Sequence, residues 1–196
     1  SEGNTIQLAT TLINDIELGN IVIPPDITLY ILRSLNPDGE ALGYTSYGRA
    51  NTNNVDLNRN WGINWQPELD TTGCWNLLIL SPGSEPYSEP ETQSLKAFIE
   101  NHPEIDALIS YHSAYLGIFP GGIPPDTKSI SLAEAISAIS PYPYPPIDTG
   151  CSYTGQLIDW ASSQGLAALD IELSDHISID YDINKVIMDV FLNWQY

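Results

Sequence analysis

Three short apolar runs do most to limit what this chain can become. Residues 27–34 (ITLYILRS), 105–111 (IDALISY) and 166–173 (LAALDIEL) are rich in β-branched, aromatic and aliphatic residues and read as buried strands. Helical spacing surrounds them. Ile6, Ala9, Leu12, Ile13 and Ile16 predict a helix over 3–18 that Gly19 ends. Ser88-Glu89-Pro90-Glu91 has the form of a capping box with proline in the first turn. The helix it opens is predicted to run to about Glu100, with Leu95, Phe98 and Ile99 inward. Further helices are predicted over 131–139, 155–164 and 182–194, the last with Ile183, Val186, Ile187, Val190 and Phe191 on one side. Strands alternating with helices predict an α/β layer architecture. Ligands bind such sheets beyond the carboxyl ends of the strands, and each run here ends on polar residues. The first leads into Asn36-Pro37-Asp38-Gly39, the second into His112-Ser113, the third into Glu172. The region between 36 and 88 is rich in Asn, Gly and Pro and too long for an ordinary connection, which marks it as functional.

Charge narrows the function. The chain has 196 residues and a formal net charge of −19, from 25 acidic against 6 basic residues. Such a chain does not bind nucleic acid, because phosphate recognition needs Lys and Arg, and it is repelled by an anionic membrane surface. No apolar run reaches the ~18 residues of a membrane-spanning helix. At 42% hydrophobic residues it is not a disordered acidic tail, and its length suits one domain, or one and a small extension. Cys74 and Cys151 make one disulfide or two free thiols. The chain begins at Ser1, without a methionine or a signal peptide, so export is not read from it directly.

Several residues suit catalysis. His112 follows an apolar strand; it is either a strand-end histidine held by hydrogen bonds or a metal ligand. Glu172 interrupts an apolar run, where a carboxylate is costly unless paired or used; burial raises its pKa toward that of a general base, whereas a strand-edge position would leave it in solvent. Glu2, read alone, is a first-turn residue favoured by the helix dipole. The loop NNVDLNRNW holds Asn58 and Arg59, and Arg49 lies upstream in the same Asn-rich stretch. The three arginines of the chain are Arg33, Arg49 and Arg59, so two of them stand where they can face one anion, or pair with the abundant carboxylates. A Ser–His–Asp hydrolase is a poor fit, since no G-x-S-x-G elbow occurs.

In this order the motifs resemble the zinc carboxypeptidase family typified by carboxypeptidase A (peptidase family M14). Asn36-Pro37-Asp38-Gly39 is similar to its N-P-D-G loop, and Arg49 with Val55-Asp56-Leu57-Asn58-Arg59-Asn60 to its arginine and VDxNRN segment. Ser88-Glu89-Pro90-Glu91, Ser110-Tyr111-His112-Ser113, Ile158-Asp159-Trp160 and Ile171-Glu172-Leu173 resemble the later ones. The resemblance implies a mixed, mostly parallel twisted sheet with helices on both faces, lacking the N-terminal strands, so that residues 1–196 form the larger C-terminal part of one catalytic domain. It implies a single Zn2+ bound by Glu2 and His112, with Ser1-Glu2-Gly3-Asn4 fitting the end of a His-x-x-Glu motif whose His lies upstream of Ser1. Glu172 is then the general base for the attacking water, and Arg49 polarises the scissile carbonyl. Asn58 and Arg59 hold the terminal carboxylate of a peptide substrate, with Ser113, Tyr153 and Ile158 completing the substrate-binding set. Cys151 falls where the family carries a mobile tyrosine, and Tyr153, two residues on, is the substitute. An apolar residue at 158 goes in the family with apolar or aromatic C-terminal side chains.

Three functions remain open on this reading. One is a metallocarboxypeptidase, with Asn58-Arg59 as its distinguishing feature. A cell-wall peptide amidase using the same site is the second. The third is a non-catalytic peptide- or sugar-binding module that uses its 11 Tyr and 5 Trp for stacking. The enzyme readings imply a secreted or periplasmic monomer that binds neither nucleic acid nor membrane.

Overall fold

The computed structural model describes residues 2–42, 46–70, 72, 74, 80–148 and 150–196. Ser1 and parts of the 36–88 region, both named above, lie outside the described residues. Helix α1 spans Gly3–Glu17, α2 Pro37–Ala41, α3 Pro90–Glu100, α4 Thr127–Ser137, α5 Leu157–Ser163 and α6 Tyr181–Asn193. Strand β1 spans Ala107–Ser113, β2 Gly117–Pro120 and β3 Ala167–Leu173. The strands form one mixed sheet in the order β1-β3-β2, with β1 parallel and β2 antiparallel to β3.

The central strand is β3, and its alternation divides the interior in two. Ala167, Leu169, Ile171 and Leu173 are fully buried and pack with α1, α4 and α6 through Leu8, Leu12, Leu132, Ile136 and Ile187. Ala168 points the other way, toward Ile99 of α3, Trp160 and Ala161 of α5, and Trp61. Trp61 is fully buried, its ring 4.9 Å from that of Trp160. Helices therefore cover both faces of the sheet.

Three elements differ from the sequence reading. The strand expected over 27–34 carries no regular structure. A strand needs a partner, and β1 pairs with β3 alone among the described residues. A cleft of about 2080 Å³ separates residues 27–35 from β1, lined also by α1 and α3. Leu32 is 58% exposed there. The capping box at Ser88 does not form: Glu89 is the N-cap residue, and its carboxylate is taken by Asn51, Asn53 and Ser88 instead. On α6 the inward stripe is Asn184, Ile187, Met188 and Leu192, which leaves Val186 exposed.

Polar side chains rather than ladders order the region from 36 to 88. Asn60 is fully buried and donates to the carbonyls of Pro82 and Glu85 and to Ser88 Oγ, while its Oδ1 accepts from Glu89 N and Thr92 Oγ1. Cys74 is bonded to Cys151, 77 positions away. This bridge ties the irregular region to the loop ahead of α5. Closing a loop of that length removes about 4 kcal/mol of chain entropy from the unfolded state. Reduction is therefore expected to lower the melting temperature by roughly 10 °C, given about 2–4 °C per kcal/mol at this size. Calorimetry with and without a phosphine reductant measures it; an unchanged transition with two titratable thiols would show that the bridge holds nothing.

Candidate active site

The parallel register of β1 and β3 sets Ser110 beside Asp170 and His112 beside Glu172. Alternate residues of a strand share a face, so these four side chains leave the sheet together at its carboxyl end. Glu2 arrives from the start of α1. Asn4, fully buried, donates to the carbonyls of Asp175 (2.8 Å) and Ser178 (2.7 Å) and accepts from Ser113 Oγ at 2.8 Å. That clamp holds the start of α1 over the ends of β1 and β3. Glu2 Oε2 then lies 2.7 Å from His112 Nδ1, and Glu2 Oε1 pairs with the Arg49 guanidinium. Burial alone would raise the Glu2 pKa, but His112 and Arg49 outweigh it and hold it at about 2. Burial also opposes charge on His112, yet Glu2 and Asp170 push its pKa well above the usual value.

Arg49 is positioned by two motifs. Its Nε donates to Asp56 Oδ2 at 3.0 Å. Asn36 caps α2 by accepting from Gly39 N at 2.9 Å, and its Nδ2 donates to the carbonyls of Gly48 (3.3 Å) and Arg49 (3.4 Å). The N-P-D-G turn is thus a brace for the arginine. Asp56 also accepts from Asn58 N at 3.0 Å, starting the short 3₁₀ turn Leu57–Arg59.

Asn58 Oδ1 accepts from Leu157 N at 2.9 Å, which fixes the amide and turns Nδ2 toward His112 Nε2 at 3.4 Å. Arg59 donates to the Asn58 carbonyl at 2.7 Å, and its guanidinium lies 5.1 Å from the centroid of the Tyr153 ring. Burial pushes the Arg59 pKa down, with Asp56 opposing. The Tyr153 loop approaches closely because of Gly155 at φ +61°, where a Cβ would sit 2.3 Å from the Arg59 carbonyl oxygen. Glu172 is raised to about 7, first by burial and then by Glu2 and Asp170, against His112 and the Tyr115 N–H, which donates to Oε2 at 3.1 Å.

Glu2, His112, Arg49, Glu172, Asn58, Arg59 and Tyr153 therefore meet in one place. Ile158 does not join them: it is 2% exposed and packs with Trp61 and Trp160 in the core. Ser113 Oγ is committed to Asn4 and lies 3.2 Å from His176 Nδ1. Cys151 is held in the disulfide. Three members were not named from the sequence. Asp56 stood inside the VDLNRN motif, and Asp170 interrupted the same apolar run as Glu172. Asn4 sat one turn before Leu8 and Leu12 on the buried face of α1.

Oxygen and nitrogen donors are what zinc takes from Glu and His. Glu2 Oε2 and His112 Nδ1 converge as two such ligands, and Ser110 Oγ lies 3.0 Å from the far nitrogen of His112, where it can fix the ring. These residues fit a zinc ion in part, since among the described residues no group of three or more His, Cys, Asp or Glu stands ready to hold a metal.

The sequence profile described as "Zinc carboxypeptidase" matches residues 5–183. Murein peptide amidase A of Escherichia coli (strain K12) is 44% identical over 73 residues, covering 34% of this chain and 28% of that protein. Carboxypeptidase B of Astacus astacus is 26% identical over 178 residues, covering 76% of this chain and 58% of that protein. The chain thus spans well under two thirds of the length of both relatives. The crystal structure of murein-tripeptide amidase MpaA from Escherichia coli O157 superposes with a TM-score of 0.59 at 28% identity, over 84% of this chain and 68% of that one. With a family match over most of its length and the site residues gathered at one sheet edge, the chain belongs to the zinc carboxypeptidase family of zinc-dependent peptidases.

Proposed function

We propose that the chain forms the larger, C-terminal part of a metallocarboxypeptidase domain that hydrolyses the last peptide bond of its substrate. The observation that supports it most is the meeting of Glu2, His112 and Arg49 beside a Glu172 whose pKa is raised to about 7. A non-catalytic binding module gives such a buried carboxyl no use. Zinc, when bound, supplies a Lewis acid. Its third protein ligand on this reading is a His upstream of Ser1, three positions before Glu2.

The chain's own residues supply the remainder. Glu172 takes a proton from the attacking water and later returns it to the leaving amine; its Oε2 is held by the Tyr115 N–H, leaving Oε1 to exchange the proton. Arg49 places positive charge where the carbonyl oxygen becomes anionic. Arg59, packed on Tyr153, binds the terminal carboxylate, and Asn58 keeps the Arg59 turn and His112 in fixed relation. The apolar preference attached to Ile158 gains nothing from a side chain sealed in the core. The disulfide favours a secreted or periplasmic location, and no helix among the described residues is long and apolar enough to cross a membrane.

A second reading, a cell-wall peptide amidase on the same site, is supported by the 44% identity over 73 residues to a murein peptide amidase. Assaying murein tripeptide beside blocked dipeptides ending in a free carboxylate separates the two.

In the protein extended to its natural start, one zinc is expected per chain; failure to bind zinc overturns both enzyme readings. Glu172→Gln is expected to lower kcat roughly 10²–10⁴-fold with zinc content unchanged. Only the deprotonated form of Glu172 accepts a proton, and its pKa is about 7. Activity should therefore rise with pH through that value and level off above it. A bound zinc cation would draw that value down, so the limb lies at or below it; a profile without any acid limb would contradict the proton-transfer role. Replacing Arg59 by alanine should raise KM at least ~10-fold and change kcat little; an unaltered KM would remove the carboxylate clamp.

A further inference from the structure

We infer that Asn4 and Ser113 are positioning residues for the metal ligand Glu2, and that zinc affinity is set in part by the exposed loop that follows β3. The inference rests on the reading of Glu2 as a zinc ligand, and it gives Ser113 a task other than substrate contact.

Glu2 occupies a weak place for a ligand. It is the N-cap residue of α1, and the first N–H groups of a helix lack intrahelical partners, so such ends fray. Its carboxylate makes no capping bond, because it is engaged by His112 and Arg49. Its carbonyl accepts from Thr5 N at 3.1 Å and Thr5 Oγ1 at 2.7 Å, both within the same turn. The anchor of this turn to the rest of the fold is Asn4, which is fully buried. Counting protons fixes the direction of each of its bonds. Asn4 Nδ2 has two hydrogens, and they go to the carbonyls of Asp175 and Ser178. Its Oδ1 needs a donor, and among the described residues Ser113 Oγ is the one that reaches it. The Ser113 hydroxyl has a single hydrogen, so toward His176 Nδ1 at 3.2 Å it acts as acceptor.

The Asn4–Ser113 bond therefore ties together the two segments that carry the proposed ligands. Glu2 lies two residues before Asn4, and His112 one residue before Ser113. The carbonyls that receive Asn4 are themselves preset. Asp175 Oδ1 accepts from the N–H groups of Ile177 and Ser178, both at 2.6 Å. Asp180 accepts from Ser174 N at 3.0 Å, Ser174 Oγ at 2.9 Å and Ser178 Oγ at 2.7 Å. These bonds shape residues 174–180 independently of α1, so the loop serves as a fixed mount for the helix. Ser174, Asp175, His176 and Ile177 are exposed. A change made at that surface is transmitted to Glu2 through Asn4. Partners that orient a metal ligand without touching the metal affect affinity strongly, because a ligand out of place binds poorly.

The test uses the protein extended to its natural start. Zinc affinity is measured by competition with a chromophoric chelator, and the visible spectrum of the cobalt(II)-loaded form reports ligand geometry. Ser113→Ala is expected to weaken zinc binding ~10–100-fold and to shift the cobalt bands. With zinc saturating, its KM for a peptide with a free terminal carboxylate should stay within about 2-fold of the parent. Ser113→Thr, which keeps the hydroxyl, should return zinc affinity to within about 3-fold. Asp175→Ala, which frees the mount at the surface, should weaken zinc binding at least ~3-fold. Asn4→Ala repeats the measurement from the other end of the bond, and Ser113→Ala decides the matter if that variant does not fold. Parent zinc affinity in Ser113→Ala overturns the inference, even beside a lowered melting temperature, because the bond would then serve stability alone. A raised KM with unchanged zinc affinity also overturns it and returns Ser113 to the substrate set. Parent affinity in Asp175→Ala overturns the part given to the loop. Zinc binding by the parent is read first: a parent that binds none ends the ligand reading of Glu2 and this inference with it, whereas a parent that binds zinc no better than its variants ends this inference alone.

Discussion

The parallel pairing of β1 with β3 is the constraint on which everything else here hangs. It sets His112 opposite Glu172 and Ser110 opposite Asp170. A slip of β3 by one residue would turn Asp170 and Glu172 away from His112 and put Leu169 and Ile171 where the carboxylates stand. The register is secured by burial, since β3 is enclosed on both faces by two separate apolar clusters. Stability and chemistry share one strand: odd-numbered residues from 167 to 173 build the core, while Asp170 and Glu172 point to the site.

Around that strand, buried amides take the place of secondary structure. Asn4 fastens α1 to the chain after β3, Asn36 fastens the N-P-D-G turn to Arg49, and Asn60 gathers the backbone from Pro82 to Glu89. Each satisfies carbonyls or N–H groups that an irregular segment would otherwise bury unpaired. The carboxylates of Asp56 and Glu2 then hold Arg49 from two sides. In a chain with net charge −19, two of the three arginines are enclosed at the site rather than spread over the surface.

Much of this could be read from residue order, and the failures have physical causes. Helices α1, α3 and α6 were legible because each buries one periodic face, and strands β1 and β3 because each is a short apolar run between polar segments. The short strand β2 was not, since the run GIFP is too brief to show a period. ITLYILRS read as a strand on composition, but a strand is completed by its neighbour, and among the described residues none reaches that segment. Catalytic candidates were legible where they broke a pattern, as Glu172 breaks an apolar run. Asp170 breaks the same run, but one acid is enough to account for an interruption in an apolar strand. Ile158 shows the limit of motif position, which suggested contact with substrate for a side chain that its helix turns into the core.

Among the described residues the sheet ends at β1, whose outer edge faces the cleft together with exposed apolar side chains of residues 27–32. An open edge offers N–H and C=O groups to any extended segment that comes near. The stretch ALISYHS carries neither the lysine nor the proline that blunts such edges elsewhere. Two copies of this chain instead repel one another, at a formal net charge of −19 each. That repulsion reaches about 10 Å at 0.1 M salt and about 3 Å at 1 M. Added salt therefore weakens the repulsion that opposes pairing of two copies along this edge.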